Sequence, residues 1–268
     1  MDFIGNVTEE DGIVSFSNTI ASKIVIKNGA RVKFSNIYFK IDRSDHNFYI
    51  SEHSSVVLSC VGIENVFESN EYYIFNLEEE STLYADQLWV NATLNQPIIF
   101  STAVVTIKNS KLNVEILAVS NTTLELENVS MKVSGRNAIN LKDSNATLRS
   151  YAISGEDFPT IYSEKSKLTL ENGTLKALGA NAINLKNTEM VVKDCMITGE
   201  AFPVIYTEKS KSELENTTVK ALGANAINLK DSNITVKNCR ISGGDNEKKF
   251  PATYVESSNL YSYNTIFE

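Results

Sequence analysis

Carboxylates in three related turns are the first residues here whose type and spacing could do chemistry. Glu156 and Asp157 stand in GEDF, Glu200 in GEAF, and Asp245 and Glu247 in GGDNEKKF. If these turns stack along one edge, acids two copies apart lie ~9–10 Å from each other. Two carboxyl groups facing each other across a bound sugar are what glycoside hydrolysis needs, one as acid and one as base. The plainer account is that these are solvated turn acids. A catalytic centre is needed once, whereas these acids recur with the turn, so the plainer account is preferred. Glu156, Asp157, Glu200 and Asp245 are kept as catalytic carboxylates only under the alternative reading below. With only two histidines, His46 and His53, no His-based triad or metal centre is expected, and no cofactor.

A second recurring set suits binding better. Asn140, Tyr162, Asn184, Tyr206, Asn228 and Tyr254 follow one another at steps of 22 residues, the last of 26. Each lies between apolar residues, so on a strand it points away from them, outward. Alternating amides and aromatic rings can hydrogen-bond and stack against a chain of sugars. Cross-strand packing of half-exposed tyrosines would use the same pattern. These six are the candidate ligand-binding residues.

The spacing belongs to the chain as a whole. Residues 137–180 recur as 181–224 with 26 of 44 positions identical, and a third copy starts at Asn225. The 44-residue unit divides again. Setting NAINLKDSNATLRSYAISGEDF over PTIYSEKSKLTLENGTLKALGA places Ile139 on Ile161, Ser144 on Ser166, Leu148 on Leu170 and Ile153 on Leu175. The structural step is therefore 22 residues. The frame extends back over 115–136 and, with a short turn deleted, over 97–114. It weakens through 72–96, 47–71 and 23–46 and is faintest in the first 22 residues. At the other end a copy carries four extra residues, and the chain stops partway through PATYVESSNLYSYNTIFE. About 11–12 copies result, irregular over 1–114 and regular over 115–268, in a single domain. Open terminal copies predict a fragment or module of a larger protein, or another chain that covers the end.

Within a copy the alternation has period two over three to five residues, which means short strands and turns. Stacked copies form apolar columns: Leu117, Ile139, Ile161, Ile183, Ile205, Ile227; Leu126, Leu148, Leu170, Val192, Leu214, Val236; and Met131, Ile153, Leu175, Ile197, Val219, Ile241. No copy alone can bury these, and a stack can. Two polar columns mark turns: Thr122, Ser144, Ser166, Thr188, Ser210, Ser232, Ser258, and Asn128, Ser150, Asn172, Asp194, Asn216, Asn238, Asn264. Asn tolerates left-handed backbone there, and the columns are expected to satisfy buried backbone groups. Two outward columns alternate in charge: Lys142, Glu164, Lys186, Glu208, Lys230, Glu256, and Glu127, Arg149, Glu171, Lys193, Glu215, Lys237. Alternation turns like-charge repulsion into ladders worth ~0.2–1 kcal/mol per pair, which explains a sequence repeat of 44 on a structural repeat of 22.

With its 22-residue coil, aliphatic stacks and Asn column in NAINLK…LENGTLKALGA, the chain resembles the right-handed parallel β-helix group of pectate-lyase-like proteins. The resemblance implies an all-β parallel solenoid. It leaves activity open, because that group holds polysaccharide lyases and hydrolases, adhesins, tail fibres and plain stalks. A leucine-rich repeat also runs near 22 residues with an Asn, but needs LxxLxLxxN where this chain has LTLEN.

The totals narrow the partners. An apolar content of 42% supports a real core, and a net charge of −8 argues against nucleic acid. No apolar run is long enough to span a membrane, and MDFIGNVTEEDG lacks a signal-peptide pattern. Cys195 and Cys239 sit at equivalent positions two coils apart, too far for a disulfide, so with Cys60 they are expected as free thiols. The resemblance implies an extracellular or cell-surface place, while the thiols leave the cytoplasm open. Eight N-x-S/T triplets, at Asn6, Asn91, Asn121, Asn128, Asn145, Asn172, Asn216 and Asn233, are discounted, because those at Asn128, Asn172 and Asn216 fall in the turn ladder and should be inaccessible. Trp89 with Phe48, Tyr49, Tyr72, Tyr73, Phe75 and Phe100 predicts a wider N-terminal core. The preferred function is a non-catalytic structural or binding module. Its partner is a polysaccharide or a protein, met along one sheet face or an end, with end-to-end association through uncapped coils as a further mode. The alternative is a polysaccharide lyase or glycoside hydrolase.

Overall fold

Strands of three to five residues bury too little surface to stand alone, and this chain stacks them in register. The structure, a computed structural model, describes residues 4–10, 13–20, 24–41, 48–65, 73–92, 97–244 and 250–268, with side chains from residue 24 onward except at 41 and 65. All regular structure among them is strand, wound as a parallel β-solenoid with coils of roughly 22 residues. The chain divides into two compact units, Met1–Met131 and Lys132–Glu268.

In the first unit Ile4–Glu10 and Ile13–Ile20 pair antiparallel, which is why the repeat frame is faintest there. Five coils follow, each a short strand and a long one: Ile24–Ile26 with Arg31–Ile41, Phe48–Ile50 with Ser55–Asn65, Phe75–Leu77 with Thr82–Ala92, Ile98–Ser101 with Val104–Asn113, and Ile116–Val119 with Thr123–Val133. The core is aromatic, as expected: Phe34, Phe39, Phe48, Phe75 and Phe100 are fully buried. Phe39 meets Phe48 edge-on at 4.7 Å, and Phe48 stacks on Phe75 at 5.2 Å. Two expectations need correction. Leu117 is half-buried and pairs with Ile99, while its neighbours Ile116 and Ala118 are fully buried. With a period of two, a one-residue slip in register exchanges faces. Of the aromatic residues expected to widen the core, Trp89 and Tyr49 are half-buried on the outer face and Tyr73 is half-buried. Tyr72 lies outside the described residues.

The second unit has six coils of three short strands, from Ile139–Lys142, Asn145–Arg149 and Ala152–Gly155 to Thr253–Glu256, Asn259–Tyr263 and Ile266–Phe267. The three apolar columns run down its interior, and Ile139, Leu148, Ile161, Leu170, Ile183, Val192, Ile205, Leu214, Ile227 and Val236 have no exposed surface. In the last coil Val255 and Phe267 are exposed, whereas their register partners Leu229 and Ile241 are fully buried.

Each coil turns two of its corners on a single left-handed residue. At one corner stand Ser150, Asn172, Asp194, Asn216, Asn238 and Asn264, with φ of 46–54°, as the small polar column predicted. At the other stand Asp143, Lys165, Asn187, Lys209, Asp231 and Ser257, with φ of 48–50°. Lysine in this conformation is disfavoured by ~1–2 kcal/mol. The corner amides offset this by bonding the coil ahead, Lys165 N–H to the Lys186 carbonyl and Lys209 N–H to the Lys230 carbonyl, both 3.0 Å.

The two polar columns do different work. In the Ser/Thr column the hydroxyls of Ser166, Ser210, Ser232 and Ser258 each donate to the carbonyl two residues back and accept a backbone N–H from the previous coil. Ser210 donates to Glu208 O at 2.8 Å and accepts from Thr188 N at 3.1 Å, and the Ser144–Ser166 and Ser210–Ser232 pairs repeat the contact. All but the half-buried Ser258 are buried, so of the two columns it is this one that satisfies buried backbone. The Asn column is exposed. Its amides form an outer ladder, Asn216 to Asp194 at 3.1 Å and Asn264 to Asn238 at 2.8 Å. Asn128, Asn172 and Asn216 are thus exposed, correcting the expected inaccessibility. A left-handed corner projects its side chain outward while its backbone stays in the coil.

The charge ladders form. Arg149 meets Glu171 at 3.0 Å, Lys186 meets Glu164 at 3.6 Å and Lys193 meets Glu215 at 3.4 Å. Lys237 departs from its column and takes Glu213 at 2.8 Å. Glu171→Lys would set three cations in succession on one column. We expect it to cost no more than about 1 kcal/mol, shrinking as salt rises. Urea melts at low and high salt measure this, and a loss unchanged by salt would contradict the ladder.

Candidate functional site

The first strand of each coil in the second unit carries the candidate binding column. Asn140 pairs in register with Tyr162, then follow Asn184, Tyr206, Asn228 and Tyr254. The flanking residues, such as Ile161 and Ser163 beside Tyr162, are fully buried, which forces the column outward. All but Tyr254 are half-buried, and Tyr254, on the last coil, is exposed. The structure thus assembles six residues far apart in sequence into one line, with side chains ~4.8 Å apart along it. Beside the line runs the alternating row Lys142, Glu164, Lys186, Glu208, Lys230 and Glu256. Tyr162 Oη donates to Glu164 Oε2 at 3.4 Å, and Asn184 Nδ2 donates to Asn181 Oδ1 at 3.4 Å. Burial first, then the charge of Glu164, raises the Tyr162 phenol above its ordinary value, so the ring stays a neutral hydroxyl donor across the physiological range. The line can stack rings, donate and accept hydrogen bonds, and offer both signs of charge.

The first asparagine of each NAIN is architectural. Asn137, Asn181 and Asn225 donate from Nδ2 to the carbonyls of Pro159, Pro203 and Pro251 in the next coil, at 2.6, 2.5 and 2.8 Å. Each amide coil thereby holds the first residue of the aromatic coil stacked on it, a second source of the 44-residue period.

The turn carboxylates are engaged. Glu156 lies 3.7 Å from Lys132 Nζ and Glu200 lies 3.2 Å from Lys176 Nζ. Asp157 Oδ2 accepts the Gly135 N–H at 3.2 Å. Asp245 and Glu247 lie outside the described residues. The three free cysteines divide, Cys60 exposed and Cys195 and Cys239 buried. The buried pair stand in for hydroxyls, each sulfur donating to the carbonyl two residues back, at Lys193 and Lys237.

One outward cluster was not anticipated. In the first unit Tyr38, Gly62, Trp89, Lys111 and Ser130 share an outward column. The rings of Tyr38 and Trp89 close over Gly62, with centroids 6.4 Å apart and planes 21° apart. Glycine in the middle of an alternating strand signals a close approach to the backbone, and that signal was present in SSVVLSCVGIEN.

Comparison with known proteins agrees with this architecture. Residues 112–267 match the model of the right-handed beta helix region, and the chain belongs to this family. No curated protein matches it. Among solved structures it is similar to the periplasmic alginate epimerase AlgG, with 10% identity, 97% of this chain and 79% of that chain covered, and a TM-score of 0.56. The A-module of the Azotobacter vinelandii mannuronan C-5 epimerase AlgE6 matches at 10% identity over 89% of this chain and 90% of that chain, with a TM-score of 0.37. At these identities the likeness is one of fold.

Proposed function

We propose that this right-handed β-helix is a non-catalytic binding module that holds an extended polysaccharide along the Asn140, Tyr162, Asn184, Tyr206, Asn228 and Tyr254 line. The observation that carries the reading is the register itself: amide and aromatic groups alternate on one sheet face, half-exposed, at a fixed rise. A sugar polymer repeats along its length, and a repeating surface meets it without needing a unique site. Tyrosine gives contact area at low entropic cost together with a polar tip. The alginate epimerases of like fold act, by name, on a polysaccharide, which fits this class of ligand. Such a partner places the work of the chain outside the cell or at its surface.

The alternative, hydrolysis or elimination at the turn carboxylates, has less support. Glu156 and Glu200 each have a lysine, and Asp157 holds a backbone amide. These are structural uses, and the glutamate–lysine pair repeats after 44 residues.

The test is affinity electrophoresis in gels cast with neutral or uronate polysaccharides. The intact chain is expected to be retarded in at least one gel, and the Tyr162→Ala/Tyr206→Ala double variant to bind at least tenfold more weakly. Equal retardation of the two proteins in every gel that slows the intact chain would remove the proposed face.

A further inference from the structure

A glycine inside a strand weakens it unless something uses the space. At Gly62 the space is taken by two aromatic rings, since a Cβ there would lie 2.9 Å from Tyr38 Cδ2 and 3.6 Å from Trp89 Cε3. The pair is fixed from the side, because the Tyr38 hydroxyl donates to the Glu64 carboxylate. The rings are not thereby hidden. Tyr38 is 44% exposed and Trp89 half-buried. The next outward column supplies Glu64, Asn91 and Asn113, where Asn113 Nδ2 donates to Asn91 Oδ1 at 3.3 Å. On the far side of Trp89, in register, stands the exposed Lys111. Lys108, three residues earlier, is bound to Glu127 at 2.6 Å. Lys111 has no carboxylate within ion-pair distance among the described residues, and its register partners are Trp89 and Ser130.

We propose that this shelf binds an acidic sugar unit of a polysaccharide, its ring against the Tyr38–Trp89 pair, its carboxylate at Lys111 Nζ and its hydroxyls on the amides of Asn91 and Asn113. The C–H face of a pyranose suits an aromatic surface. The ammonium of Lys111 supplies the complementary charge for a carboxylate. Adjacent amides pair with vicinal hydroxyls. The inference rests on the polysaccharide reading only for the class of ligand, since its residues belong to the other unit.

Trp89 is the only tryptophan, so emission excited at the red edge, where the tyrosines do not absorb, reports this shelf. A mannuronate hexamer is titrated, with cellohexaose as the neutral control. A saturable change in emission is expected with the uronate, about tenfold weaker for cellohexaose and for Lys111→Gln. The Tyr162→Ala/Tyr206→Ala variant is expected to respond as the intact chain does. No change with the uronate up to millimolar concentration overturns the proposal, as does an equal response from cellohexaose or from Lys111→Gln. Failure of the emission response leaves the electrophoresis result standing, and the reverse, so the two sites fail separately.

Discussion

Replacing Ile205 with Ala is expected to destabilise the second unit by about 2–5 kcal/mol. Ile205 has no exposed surface and lies in register between Ile183 and Ile227, both also fully buried. Removing three carbons leaves a gap that the neighbouring coils cannot close. Backbone bonds on both sides hold their spacing: Ile183 N to Val204 O at 3.0 Å and Ile205 N to Ala226 O at 2.9 Å. The stack therefore pays the transfer loss and most of the cavity term together. Repeat structures lose cooperativity locally, so the readout is hydrogen exchange of the flanking strands beside a urea melt. A change below about 1 kcal/mol would mean that the column is not the continuous core described. Thr235→Ala, on the half-exposed outer face of a nearby strand, is the control and is expected to change stability little.

The second large effect is expected at Ser210. Its hydroxyl accepts the Thr188 N–H and donates to Glu208 O, and Thr188 and Ser210 are both buried. Ser210→Ala removes few contacts but leaves the buried Thr188 N–H without its partner, while Glu208 O keeps the Asn187 N–H at 3.0 Å. The cost is about 1–3 kcal/mol, out of proportion to one oxygen atom. Ser210→Thr should recover most of it, because the same column already carries threonine at Thr188, whose hydroxyl donates to Lys186 O at 3.1 Å. Equal stability of the alanine and threonine variants in urea would show that the ladder is ornamental.

Much of this architecture is written in the sequence, because a stack reads its own repeat out in columns. Ile161, Leu170 and Leu175 could be placed inside with no structure, since period two and the 22-residue step leave no other face. The left-handed corner at Asn172 was legible for a similar reason: few residues but asparagine and glycine recur where φ is positive. The corner at Lys165 and Lys209 was not, because lysine carries no such preference and only the backbone bond to the next coil holds it there. Leu117 was misplaced by one residue where the copies shorten, which is enough to exchange inside for outside. Asn137 and Asn140 look alike in NAIN. The second, between Ile139 and Leu141, is placed outward by the alternation, but only the structure shows that the first holds a proline carbonyl. The Tyr38–Trp89 shelf was hidden because its members lie in the irregular coils, where no column could be drawn with confidence of register. Trp89 by composition alone reads as core.

The outer face through Tyr162 and Tyr206 is proposed to bind a polysaccharide without changing it. The most direct measurement incubates the intact protein with a polysaccharide that retards it in the gel, then determines chain length, reducing ends and sugar configuration of the recovered polymer. The account predicts a polymer unaltered in all three, bound through Tyr162 and Tyr206. A shortened, unsaturated or epimerised product that disappears when Glu156 or Glu200 is changed to its amide would contradict it.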